Sequence, residues 1–120
     1  MVVDVRGLRN QRGTVHVCLT RDPAHFPDCQ GDAASVRRSI PAARAGRITL
    51  PGVVAGDYAL ALVHDENSNG RLDTLVAIPK EGFGFSRNPR IRFGAPRFRD
   101  ARFTVEGSRT TLIVNVRYLL

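Results

Sequence analysis

Gly56-Asp57-Tyr58-Ala59-Leu60-Ala61-Leu62-Val63-His64 runs without a break into Asp65-Glu66-Asn67-Ser68-Asn69-Gly70-Arg71-Leu72-Asp73. Tyr58, Leu60 and Leu62 alternate with Ala59, Ala61 and Val63, the two-residue period of a β-strand. Both faces are apolar, which predicts a central strand covered on two sides. That strand delivers the chain into its densest run of oxygen-bearing side chains. Asp65, Asn67, Asn69 and Asp73 stand at relative positions 1, 3, 5 and 9 of the spacing that wraps a loop around Ca²⁺. Gly70 occupies the tight turn, Leu72 is apolar, and Arg71 would offer only its backbone carbonyl. Val76 stands where the bidentate acidic ligand belongs. Glu81, a little further on, is a candidate replacement, or a partner for Arg71 or Lys80. The competing expectation is a metal-free turn, because Asn69-Gly70 is a hairpin signal and Asx side chains bond their own backbone.

Outward from this stretch the alternation persists. Residues 2–8 and 14–20 read as strands joined through the polar turn 9–13, an expected β-hairpin. Val15, Val17 and Leu19 form an inward face, with His16 and Cys18 pointing the other way. Residues 21–34 carry Pro23 and Pro27 and resist regular structure; Phe26 is their one large apolar anchor. Residues 35–40 suit a short strand or a helical turn. Residues 47–53 alternate, but Pro51 confines them to a sheet edge or bulge, which makes them a candidate docking edge for an assembly partner. Residues 74–78 read as a short strand. Residues 101–105 and 110–118 read as a closing hairpin, with Leu112, Val114, Val116 and Tyr118 inward. About seven strands with no helical period predict an all-β, antiparallel, Ig-like sandwich forming a single domain over residues 1–120.

Composition bounds the rest. A hydrophobic content of 42% is that of an ordinary globular chain. The start, Met1-Val2-Val3-Asp4-Val5, alternates like a strand and has no signal-peptide pattern, so the chain is expected to be cytosolic or to begin after a removed leader. No apolar run reaches the length of a transmembrane helix. The net charge of +7 comes from 18 basic and 11 acidic residues, and every basic residue but Lys80 is Arg. Such a balance favours anionic partners: acidic glycan, lipid or a small anion. No helix-turn-helix, zinc-finger or RNP-like pattern argues for specific nucleic-acid binding.

Residues 79–99 hold four of the six Phe residues, Phe83, Phe85, Phe93 and Phe98, among Arg87, Arg90, Arg92, Arg97 and Arg99. Guanidinium groups interleaved with aromatics suit an anionic ligand surface; the alternative is a loop whose Phe side chains plug the core while the arginines are solvated. Cys18 and Cys29 would close a loop of about 12 residues, worth about 3 kcal/mol in an oxidising compartment; two reduced cysteines are the alternative. Ser35, Ser39, Ser68, Ser86 and Ser108 lack a nucleophile-elbow context. The expectation is therefore a non-enzymatic binding or accessory module, with no cofactor beyond Ca²⁺. The competing reading is a small hydrolase using His64, Asp65 and Glu81.

Gly56-Asp57-Tyr58, the 64–73 run, Ile78-Pro79-Lys80-Glu81-Gly82-Phe83-Gly84-Phe85-Ser86, Phe93-Gly94-Ala95-Pro96 and Phe98-Arg99-Asp100-Ala101 together resemble the bacterial DUF2141 family over nearly the whole chain. That resemblance implies an exported single-domain protein, periplasmic or secreted. Its Gly-Asp-Tyr strand resembles the transthyretin-like and carboxypeptidase-regulatory β-sandwiches. The resemblance implies no particular chemistry.

Overall fold

A computed structural model of the chain describes residues 1–68, 81–90, 96–106 and 109–118. Within them lie nine strands: β1 (Val2–Arg6), β2 (Thr14–Thr20), β3 (Val36–Pro41), β4 (Arg47–Thr49), β5 (Gly56–Asp65), β6 (Gly82–Phe85), β7 (Phe103–Val105), β8 (Thr111–Asn115) and β9 (Arg117–Tyr118). One helical turn, α1 (Phe98–Ala101), precedes β7, and short 3-10 turns cover Pro23–His25 and Ala42–Arg44. The expected strand over residues 74–78 lies outside the described residues.

Two sheets face each other. The smaller has the order β4-β1-β8, and the larger β3-β2-β5-β6-β9, with β7 paired to the first residues of β5. The expected sandwich is therefore present, with β5 central and β4 at an edge. Two pairings differ from the sequence reading. β1 and β2 do not form a hairpin: β1 pairs with β4 and β8, whereas β2 pairs with β3 and β5. Likewise β7 joins β5, while β8 crosses to lie parallel to β1, so the sandwich is not purely antiparallel. The reason is that both inner faces of a sandwich carry the same apolar alternation, which fixes the side a strand buries but not the sheet it joins.

The space between the sheets is filled by Val3, Val5 and Val114 from one side and Val15, Val17, Leu19, Leu60 and Leu62 from the other, all buried. A fully buried Leu or Val contributes roughly 1.5–3 kcal/mol. β6 lies inside the segment read as an irregular loop. Its register sets Gly84 opposite Leu62 and Gly82 opposite His64, on the inner face. There the missing side chains admit those of Val114, Val116 and Tyr118. Phe83 and Phe85 point to the outer face of the larger sheet. There they join Cys18, Cys29, Ala59, Ala61, Val63 and Ala101 in a second buried cluster, covered by Phe26 and Phe98. The large sheet is thus buried on both sides of β5, as its doubly apolar sequence requires.

Candidate functional site

The residues at the end of β5 separate by face. His64 is fully buried and points inward. Its Nε2 lies 2.7 Å from the Arg12 carbonyl and its Nδ1 2.6 Å from the Tyr118 hydroxyl. A carbonyl only accepts, so Nε2 carries the proton and Nδ1 accepts from Tyr118. Burial holds the Tyr118 phenol above its ordinary pKa, keeping the proton this bond uses. Asp65, one residue on, points to the outer face. Its carboxylate is 1% exposed and lies 2.9 Å from Nε2 of His16. On the other side of that ring, Nδ1 lies 2.8 Å from the hydroxyl of Ser39, directly across the β2–β3 ladder. The carboxylate accepts from Nε2–H, and Nδ1 and the Ser39 hydroxyl share the hydrogen bond on the other side of the ring. Of the three residues of the competing hydrolase reading, His64 lies on the inner face and Asp65 on the outer one, because successive strand residues face opposite ways.

Glu81 is buried and immediately precedes Gly82, the cross-strand partner of His64. It and Asp65 thus stand at the adjoining ends of β5 and β6. β5 gives way to a backbone turn, Ser68 N–H donating to the Asp65 carbonyl at 3.2 Å, and Ser68 Oγ lies 2.9 Å from Thr14 Oγ1. Asn67 is exposed there, while Asn69, Arg71 and Asp73 lie outside the described residues. Among the described residues no three His, Cys, Asp or Glu side chains come together to hold a metal ion.

A second feature lies on the outer face. Cys18, on β2, is bonded to Cys29 with Cα atoms 5.7 Å apart. The bond holds residues 21–34 against the sheet, helped by Thr20 Oγ1, which donates to Asp32 at 2.6 Å. That bond holds the Asp32 carboxyl below its usual range. Phe26 packs edge-on against Phe98 and Phe85, with both centroid distances 6.1 Å. Where this loop meets the segment entering α1, an open cleft of about 490 Å³ is lined by Pro23, Phe26, Pro27, Pro96, Arg97, Phe98 and Arg99. Arg97 and Arg99 are exposed. The carboxylate of Asp100 accepts from the backbone N–H of Arg97 at 3.2 Å, and Asp100 N–H returns a bond to the Arg97 carbonyl at 3.0 Å. Among the described residues neither guanidinium has an ion-pair partner.

The family described as "Uncharacterized protein conserved in bacteria (DUF2141)" matches residues 3–113. The chain belongs to the DUF2141 family. No curated protein and no solved structure matches it. The cleft of this DUF2141 chain divides the arginines that the sequence grouped together. Arg97 and Arg99 line it. Arg87 is exposed on a left-handed turn and donates to the Arg102 carbonyl at 3.5 Å, and Arg90 is exposed away from the lining. Arg92 and Phe93 lie outside the described residues. Phe83 and Phe85 are buried plugs, as the core reading of that segment expected. Sequence reasoning did not connect Pro23, Phe26 and Pro27 to these arginines, nor Ser39 to His16. The Cys18–Cys29 pair and the apolar anchor Phe26 were the signals that drew residues 23–27 back onto the sheet. Among the described residues no helix is long and apolar enough to cross a membrane.

Proposed function

We propose that this DUF2141 protein is an exported, non-enzymatic binding module, a transthyretin-like sandwich that takes an anionic ligand through Arg97 and Arg99. The observation that carries this reading is the cleft where two guanidinium groups stand beside apolar walls. The net charge of +7 draws anions toward the surface, and the disulfide suits an oxidising compartment. The expected behaviour is retention on an acidic polysaccharide or anionic lipid that weakens with salt and drops in the Arg97→Gln, Arg99→Gln double variant. Retention unchanged by that variant would overturn the reading.

Calcium belongs to the same proposal. Asp65 and Glu81 are two buried acidic residues at the adjoining ends of β5 and β6, on either side of the oxygen-rich run whose spacing motivates the reading. Asp65, Asn67 and Glu81 would supply oxygens there, joined by Asn69, Asp73 and the Arg71 carbonyl. Calorimetric titration with Ca²⁺, using Asp73→Asn as control, tests this; no heat at millimolar calcium ends it.

One observation favours a hydrolase as the second reading. Ser39, His16 and Asp65 have the connectivity of an acyl-transfer triad, with the two ring nitrogens exchanged. Ser39 Oγ would attack an acyl carbon while His16 Nδ1 takes its proton and passes it to the leaving group. Labelling of Ser39 by a fluorophosphonate, absent in Ser39→Ala, would replace the binding-module reading with this one.

A further inference from the structure

We infer that the cleft selects a carboxylate carried on a flat, apolar ring system, an arene carboxylic acid rather than a sugar acid or a bare anion. This rests on the reading of Arg97 and Arg99 as an anion site and narrows its ligand class. The decisive observation is the lining, which among the described residues consists of proline, phenylalanine and arginine. A sugar ring presents hydroxyl groups on its edge, and each one buried without a partner costs free energy. Among the described residues no neutral hydrogen-bonding side chain lines the cleft to meet them. A flat hydrocarbon ring needs no such partner. The Phe26–Phe98 pair crosses at 90°, and a further ring extends an edge-to-face array of this kind. Pro23, Pro27 and Pro96 complete the apolar walls. The volume of about 490 Å³ falls in the range of small-molecule sites.

The charged end is equally specific. A planar guanidinium matches the two oxygens of a carboxylate in a fork. A single negative charge also loses less hydration than a doubly charged phosphate on entering an apolar cleft. The carboxylate of Asp100, next to Arg99 in sequence, accepts from the Arg97 backbone N–H. The walls are held before any ligand arrives. Cys29 anchors one of them, and Ser86 Oγ, bonded to the Ala101 carbonyl, anchors the other at the end of α1. Preorganised walls reduce the ordering cost of binding.

The test uses 2-naphthoate as probe, with 2-naphthalenemethanol and acetate as controls, followed by calorimetry and by chemical-shift changes on the full chain. 2-Naphthoate should bind, weaken at high salt, and lose about tenfold or more in affinity in the Arg97→Gln, Arg99→Gln variant, the loss expected for a charge-assisted hydrogen bond. Both side chains are exposed, so this variant should keep the wild-type melting curve. The neutral alcohol and acetate should each bind far more weakly. Equal binding of the alcohol removes the role of the guanidinium pair, and equal binding of acetate removes that of the apolar walls; either overturns the inference. Retention on acidic polysaccharide without any 2-naphthoate binding overturns the inference and leaves the anion-binding reading standing. Loss of both defeats the two together.

Discussion

At the scale of single residues, β6 depends on side chains it lacks. A Cβ built on Gly84 would sit 2.6 Å from Val114 Cγ1 and 3.1 Å from the Asn115 carbonyl oxygen. The backbone of β8 cannot yield as a flexible side-chain tip would. Gly84→Ala is therefore expected to destabilise by about 1–3 kcal/mol, the usual cost of overpacking. A fall in the denaturant midpoint with an unchanged slope would register it, and a stability equal to wild type would show that the sheets can separate freely. Ser86, next to β6, makes a different demand. It is fully buried, accepts from Leu60 N–H at 3.0 Å, and donates to the Ala101 carbonyl. Ser86→Ala strands a buried donor and a buried acceptor, so a loss of about 1–3 kcal/mol is expected. Ser86→Thr, which keeps the hydroxyl, should recover part of the hydrogen bonding and discriminates this cause from loss of volume.

At the scale of elements, the disulfide joins a strand to a loop that has few other reasons to stay in place. Residues 21–34 contribute Phe26, the Asp32–Thr20 bond and Cys29 itself to the second cluster. The double variant Cys18→Ser, Cys29→Ser should lose about 3 kcal/mol through the entropy of a loop of roughly 12 residues. It should also weaken ligand binding at the cleft, because Pro23, Phe26 and Pro27 form one wall. Thermal melting and 2-naphthoate titration of the same variant test both halves, and unaltered binding would detach the cleft from the crosslink. These elements also mark what a sequence can convey. β2 and β5 were legible because residues 14–20 and 58–64 alternate cleanly and their buried faces follow from that period. β6 was not, since Gly82 and Gly84 leave its inner face empty and the residues that fill it come from β8 and β9. Pairing was illegible for the strands at both ends of the chain, because identical apolar faces suit either sheet. Of the site, the arginine and phenylalanine density pointed to Arg97 and Arg99. Their facing wall is distant in the chain, as Ser39 is from His16, and no local period encodes such a contact.

At the scale of the molecule, one clasp closes an end of the sandwich. Arg9, in the crossing from β1 to β2, donates from Nε to Glu66 Oε1 at 2.6 Å, and its guanidinium stacks 4.3 Å from the Tyr118 ring centroid. Its backbone N–H reaches the same Tyr118 hydroxyl that holds His64. Three distant segments meet there, one from each end of the chain and one from β5. The Arg9 hydrogen bond, reinforced by its charge, keeps the Glu66 carboxyl below the usual carboxylate range. The sign of the pH effect follows. A group whose folded pKa is depressed stabilises the fold above its unfolded value, and that contribution disappears as pH falls through the folded value, because the unfolded state then binds the proton more readily. Melting temperature should therefore fall on acidification below the ordinary Glu range. In Glu66→Gln the neutral pH stability should be slightly lower and the acid slope shallower. Asp32, held low chiefly by Thr20, adds to the same limb, so Glu66→Gln combined with Asp32→Asn should flatten it further. Melting curves collected across the acid range decide the matter, and a Glu66→Gln protein that keeps the wild-type slope would show that the clasp carries no linked proton.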